Sequence, residues 1–305
     1  MLRKFVLLLS FFALLLSACA GPLAAPAPMT FTDGLGRKVN LVGPAQKIIS
    51  LAPSNTELLF AVGAGKQVLG RDEMSDYPAE AADLPKMGGY DKYNLEQIVA
   101  LKPDLVLLAE INTTDLLKQL EDLGLNVYYL SNPKTLEDMY ANLELVAKMT
   151  GHEKETASLV ESLKTRVTAV QQKVSVSSVL PVVFYELDST DPAKPYTVGP
   201  NTFADLLISR AGGQNMTSLA GIKDSYPQVS VEQLVSSNPD MIILGDSMWG
   251  VSVESVGQRP GWEKLKAVTT SQVYVFDDNL VSRPGPRLVD GLEAMAKLLH
   301  PELYK

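Results

Sequence analysis

Cysteine and histidine are nearly missing from this chain of 305 residues, which holds one cysteine and two histidines. With Cys19 as the sole thiol no internal disulfide can form, and two histidines, His152 and His300, are too few for an ordinary three-ligand zinc site. His152 falls at a predicted helix start and His300 near the C-terminus, so both read as surface or capping residues. Basic side chains are also in deficit, 27 Lys and Arg against 35 Asp and Glu for a net charge of −8, which disfavours nucleic acid and anionic membrane surfaces as partners. The usual catalytic loops fail on single residues. Gly63-Ala-Gly-Lys66 runs into Gln67 with no glycine at position 60, so it reads as a helix end and turn, not a phosphate loop. Gly245-Asp-Ser-Met-Trp249 lacks the final glycine of a nucleophile elbow. The acidic pairs Asp72-Glu73 and Asp277-Asp278 lie in predicted loops and read as solvated carboxylates. No metal site, no cofactor and no enzymatic activity are expected.

What is present begins at the first residue. Met1-Leu-Arg-Lys4 precedes the apolar run Phe5–Leu16, too short to span a bilayer and shaped like a signal peptide. Leu16-Ser-Ala-Cys19 then matches the bacterial lipobox, whose cysteine is lipidated and becomes the new N-terminus. Cleavage there removes Arg3 and Lys4 and leaves a net charge of about −10. The expected order is a signal peptide over 1–18, a Pro- and Ala-rich tether over 19–29, and a β-hairpin over 30–45 around Asp33-Gly34 and Gly36. The chain is therefore expected outside the cytoplasm, joined to a membrane through its lipid alone.

The body repeats itself. Asn94-Leu-Glu-Gln-Ile-Val-Ala-Leu-Lys-Pro-Asp-Leu-Val-Leu-Leu108 is echoed by Ser230-Val-Glu-Gln-Leu-Val-Ser-Ser-Asn-Pro-Asp-Met-Ile-Ile-Leu244. Each copy opens on a cap residue with Gln three positions on, closes its helix before a proline, and continues into a buried aliphatic strand. Upstream, Ile48–Gly63 is echoed by Tyr196–Gly212 as strand, Pro and Asn-Thr turn, apolar helix and glycine. Between the copies, Thr135–Val174 is broken only by Gly151, with Leu159, Leu163, Val167, Val170 and Val174 on one helical stripe. The pattern predicts an α/β protein of two Rossmann-like lobes, 46–134 and 179–305, joined by linking helices over 135–178.

The segments Ser50-Leu-Ala-Pro-Ser-Asn-Thr-Glu57, Ser75-Asp-Tyr-Pro78, Asn94–Asp104 and Tyr226-Pro-Gln-Val-Ser-Val-Glu232, in that order, resemble the periplasmic binding proteins for vitamin B12 and ferric siderophores that feed ABC importers. The resemblance implies one long helix between the lobes and a ligand cleft between them. It implies that Glu96 and Glu232 dock into arginine pockets on the two membrane subunits of a permease, one from each lobe. It places Tyr90 and Tyr226 where the vitamin B12 binders carry aromatics against the corrin, with Trp249 and Arg283 completing the wall. Met74 departs from that pattern, standing where a further aromatic is expected, and the N-terminal hairpin is more usual in siderophore and haem relatives. The loop arginines Arg71, Arg259 and Arg283 are scattered and do not suggest a cluster for an anionic catecholate. The expectation is thus a monomeric solute-binding protein taking a corrinoid, with a ferric siderophore or haem as the alternative and a secreted hydrolase further behind.

The lipobox reading carries its own test. Replacing Cys19 by Ala is expected to move the protein from the membrane to the soluble fraction on cell fractionation; retention in the membrane fraction contradicts lipidation at this residue.

Overall fold

A computed structural model describes residues 27–90 and 92–305 of the chain, so the signal peptide, Cys19 and most of the tether lie outside the described residues. Strands β1 (Pro28–Thr32) and β2 (Lys38–Val42) pair antiparallel, with Pro28 opposite Val42 and Thr32 opposite Lys38. The hairpin starts two residues before its expected boundary, because Pro28 and Met29 join the ladder instead of extending the tether. Its turn is built by Asp33, whose carboxylate accepts from the backbone N–H of Leu35 and Arg37 and from the Arg37 guanidinium. Arg37 holds that carboxyl below its ordinary value although burial alone would raise it. Tyr128 donates its hydroxyl to the Thr32 carbonyl at 2.8 Å and fastens the hairpin to the first lobe.

In that lobe β3 (Ile48–Ser50), β4 (Val68–Arg71), β7 (Leu105–Ala109) and β8 (Val127–Leu130) form a parallel sheet in the order β4-β3-β7-β8. The small ladder of β5 (Gly88–Gly89) and β6 (Lys92–Tyr93) lies before the sheet's third strand. Helices α1 (Pro53–Ala61), α2 (Leu95–Ala100) and α3 (Thr114–Asp122) complete the lobe. All five residues of β7 are buried, as a strand covered on both faces requires.

Two helices then join the lobes. α4 (Leu136–Thr150) opens with a full capping box between Thr135 and Asp138 and stops at Gly151, whose φ of 80° belongs to a left-handed cap. α5 (Glu153–Val174) follows at once, 22 residues and about 33 Å long. Val160, Leu163, Val167, Val170 and Val174 are its buried stripe, close to the sequence expectation.

The second lobe repeats the first. β9 (Val182–Asp188), β11 (Gln214–Asn215), β12 (Met241–Leu244) and β13 (Val273–Val275) are parallel in the order β11-β9-β12-β13, matching β4-β3-β7-β8 strand for strand. The echo of Ile48 at Tyr196 is corrected by this topology. β10 (Tyr196–Thr197) pairs antiparallel with the end of β9, so the counterpart of β3 is β9, while α6 (Phe203–Arg210) does correspond to α1. α7 (Val231–Ser237) and the final α8 (Leu288–Leu299) close the lobe. His300 caps α8 but is buried, facing the Gly212 carbonyl at 3.1 Å, so it is not a surface residue.

One apolar cluster runs through the whole molecule, from Leu58 and Leu59 on α1 through Leu143 and Val146 on α4 and the α5 stripe to Leu292 and Met295 on α8. Separate clusters cover the outer face of each sheet, around Ile98 and Leu108 in one lobe and Phe184, Ile242 and Trp262 in the other. Leu143 is fully buried in the shared cluster, and Leu143→Ala is expected to lower the unfolding free energy by about 2–5 kcal/mol, read from the urea midpoint. A loss well under that range contradicts a core shared by linker and lobes.

Candidate functional site

The loops that follow the parallel strands carry the residues able to meet a ligand, as the strand ends of open α/β sheets usually do. Those loops converge from the two lobes. Glu57 on α1, one turn beyond β3, is buried to 1% side-chain exposure and is held entirely by the second lobe. Arg287 grips it with two bonds, Nε to Oε2 at 2.8 Å and Nη2 to Oε1 at 2.5 Å. Arg283 adds a longer bond to Oε1 at 3.4 Å, and also donates to Asp76 Oδ1 at 2.5 Å and to the Met74 carbonyl at 3.3 Å. Burial raises the Asp76 carboxyl, but the Arg283 bond and charge outweigh it and hold the group below its ordinary value. Arg287 also stacks over the Tyr77 ring, 4.0 Å from its centroid.

Arg283 is therefore placed at the cleft floor, but its guanidinium is spent on the first lobe and does not stand free on a ligand wall. Arg71 donates to the carbonyls of Ala81, Ala82, Asp72 and Glu73, knitting the loop after β4. Arg259 is paired with Glu186 at 2.5 and 2.9 Å and lies over Trp262 at 4.5 Å. Asp72 is buried, not solvated: it accepts from the Ser75 hydroxyl and the Met74 N–H, and burial raises its pKa against those bonds. Asp278 departs from the solvated reading as well, since it accepts the Tyr185 hydroxyl at 2.8 Å and burial raises its pKa. Glu73, Glu110, Asp188, Asp191 and Asp277 are exposed at or just beyond the ends of β4, β7, β9 and β13, as is Asp76, which Arg283 engages. Exposed Lys92, beside Tyr90, and Lys194 stand among these loops too, so the rim carries both signs with carboxylates in excess, while Arg71, Arg259 and Arg283 are internally engaged.

The aromatic candidates are presented to solvent, Tyr90 at 77%, Trp249 at 73% and Tyr226 at 63% exposure. Tyr90 borders a hollow of about 390 Å³ with Tyr93, Ile111 and Asn112. Trp249 borders another of about 550 Å³ with Ser189 and Asp246 in the second lobe. Tyr90 and Trp249 thus border separate hollows, one in each lobe. Tyr226 is mostly exposed as a residue, yet its hydroxyl is desolvated enough, and near enough to Asp278, for its pKa to rise. Tyr93 was not singled out by sequence. Asn112 donates to its hydroxyl at 2.9 Å, and burial, then the Asp72 charge, pushes that hydroxyl to about 12. Its place just before the Asn94 motif was the available signal.

A larger hollow of about 970 Å³ lies beside the linker, between Phe60, Leu159, Leu163 and the start of α8, and shares Glu57 and Arg287 with the ion cluster. Volume alone does not select it: Tyr77 borders it, but Tyr90, Tyr226 and Trp249 do not.

Glu96 and Glu232 are both exposed, in the first turns of α2 and α7, and the equivalence of these helices places them at matching points of the two lobes. Asn94 accepts the Gln97 N–H at 3.0 Å, and Ser230 makes a full capping box with Gln233. The Ser230 hydroxyl lowers the pKa of Glu232. An apolar hollow of Leu95, Val99, Ala100 and Leu123 adjoins Glu96. Among the described residues no group of three or more His, Cys, Asp or Glu could hold a metal ion, and no helix is long and apolar enough to cross a membrane.

A family model described as periplasmic binding protein matches residues 48–280. The chain is 34% identical over 283 residues to an uncharacterized ABC transporter substrate-binding lipoprotein, YvrC, of Bacillus subtilis, covering 91% of this chain and 87% of that one. It is 30% identical over 258 residues to a vitamin B12-binding protein of Vibrio parahaemolyticus, covering 82% of this chain and 87% of the other. Among solved structures, the apo periplasmic heme-binding protein RhuT of Roseiflexus superposes with a TM-score of 0.76 at 25% identity, over 85% of this chain and 99% of that one.

Proposed function

This chain belongs to the periplasmic binding protein family, and from that premise we propose that it captures a corrinoid between its lobes and delivers it to the permease of an ABC importer. Members of the family are substrate-binding components of ABC transporters and not enzymes; they bind small molecules and work with membrane permeases. The observation that carries the ligand reading is the rim: exposed tyrosines and a tryptophan, more exposed carboxylates than lysines, and Arg71, Arg259 and Arg283 engaged within the protein. Aromatic faces suit a large flat amphipathic macrocycle, and carboxylates suit the amide N–H donors around a corrin. The same rim repels a polyanionic catecholate, and it offers haem propionates no free guanidinium. The vitamin B12-binding relative supports the choice; the haem-binding neighbour makes haem the second reading. Lipidation at Cys19, action as a monomer, and docking through Glu96 and Glu232 complete the proposal, the two exposed carboxylates fitting paired arginines on a two-fold permease.

Titration with cyanocobalamin, haem and a ferric hydroxamate, followed by tryptophan fluorescence, tests the ligand. Trp262 is fully buried and Trp249 largely exposed, so the response is expected from Trp249. Saturable quenching by cyanocobalamin, abolished in Trp249→Phe, is the predicted result, and saturable binding of haem or hydroxamate alone overturns the corrinoid. For docking, replacing Glu96 and Glu232 together by Ala is expected to reduce cobalamin uptake into vesicles carrying the permease by at least tenfold; unimpaired uptake refutes their role.

A further inference from the structure

We propose that Glu57, Arg283 and Arg287 form a clamp that sets the separation of the two lobes, with Glu57 as the positioning residue for capture. The consequence for capture rests on the ligand being held between the lobes; the clamp itself does not. Every bond of the cluster crosses from one lobe to the other, between residues 207 to 230 positions apart in sequence. Glu57 receives both guanidinium groups on a side chain with 1% exposure, and Arg283 and Arg287 are themselves only 10% and 11% exposed. The Glu57 oxygens are thereby committed to the clamp and closed to a ligand.

The chemistry of the contact explains why it positions instead of merely adhering. Apolar side chains of similar volume would hold the lobes together at least as well, since a buried ion pair loses much of its Coulombic gain to desolvation. Packed apolar surfaces, however, tolerate small sliding shifts, whereas a two-bond arginine–carboxylate contact has one geometry and weakens steeply when displaced. The lobes are already joined through α4 and α5, and Arg166 on α5 is tied to Asp290 and Glu293 on α8 at 2.5 and 2.8 Å. A second attachment at the cleft floor removes the hinge freedom that one helical connection leaves. Arg283 extends the grip to the loop after β4 through Asp76 and Met74, the loop that carries Tyr77 against Arg287.

The test uses the chain shortened to begin at Ala20, which removes Cys19 and leaves no cysteine, with Lys118→Cys in the first lobe and Lys264→Cys in the second as spin-label sites; both lysines are exposed. Double electron–electron resonance without ligand is expected to give a single narrow distance distribution for the parent and one at least twice as wide for Glu57→Gln. Should that variant not fold, Arg287→Lys, which keeps the charge but loses the two-bond grip, is expected to widen the distribution likewise. A folded variant with the parent's distribution overturns the clamp. Because no ligand is present, this result stands apart from the corrinoid reading, which the titration decides on its own.

Discussion

A buried carboxylate held across a cleft is the constraint on which the geometry of this molecule depends. Glu57 comes from the first lobe, and both its partners come from the second. Taking one partner from a buried pair of this kind costs about 3–5 kcal/mol, a large share of a typical domain's stability. The half-exposed pairing of Arg166 with Asp290 and Glu293 lies where solvent screens it, so it is worth about 1 kcal/mol or less. The clamp and the continuous apolar cluster therefore dominate how the lobes sit, the cluster supplying cohesion and the clamp supplying register.

Much of the architecture was legible because its signals are local. The Asn94 and Ser230 caps, the prolines that end their helices, and the aliphatic strands that follow are encoded within fifteen residues, and both copies fold as read. The α5 stripe was equally plain. The misreadings share one cause, which is that tertiary pairing decided the outcome. Tyr196 has the same local grammar as Ile48, but β9 is long enough to take it as an antiparallel edge partner. Pro28 and Met29 look like tether until Leu41 and Val42 are opposite them. Asp72 looks solvated until Ser75 and Thr56 close over it.

The site was half legible for the same reason. Tyr90, Tyr226 and Trp249 were expected from the resemblance, and the structure leaves all three exposed, Tyr90 between β5 and β6, Trp249 just beyond β12 and Tyr226 in the segment before α7. The clamp could not be read, because Glu57 sits inside an apolar helix and its partners lie more than two hundred residues away. Arg283 was noticed as a candidate wall residue when its work is to hold the floor. With the arginines withdrawn in this way, exposed carboxylates outnumber Lys92 and Lys194 at the rim, and that excess is the physical argument for a ligand rich in hydrogen-bond donors.

The most direct measurement is a crystal structure of the chain with cyanocobalamin. The account predicts the corrin between the lobes, against Tyr90, Tyr226 and Trp249, with the Glu57–Arg287 pair intact beneath it. Ligand bound in the hollow beside α5, or a complex in which that pair is broken, would contradict it.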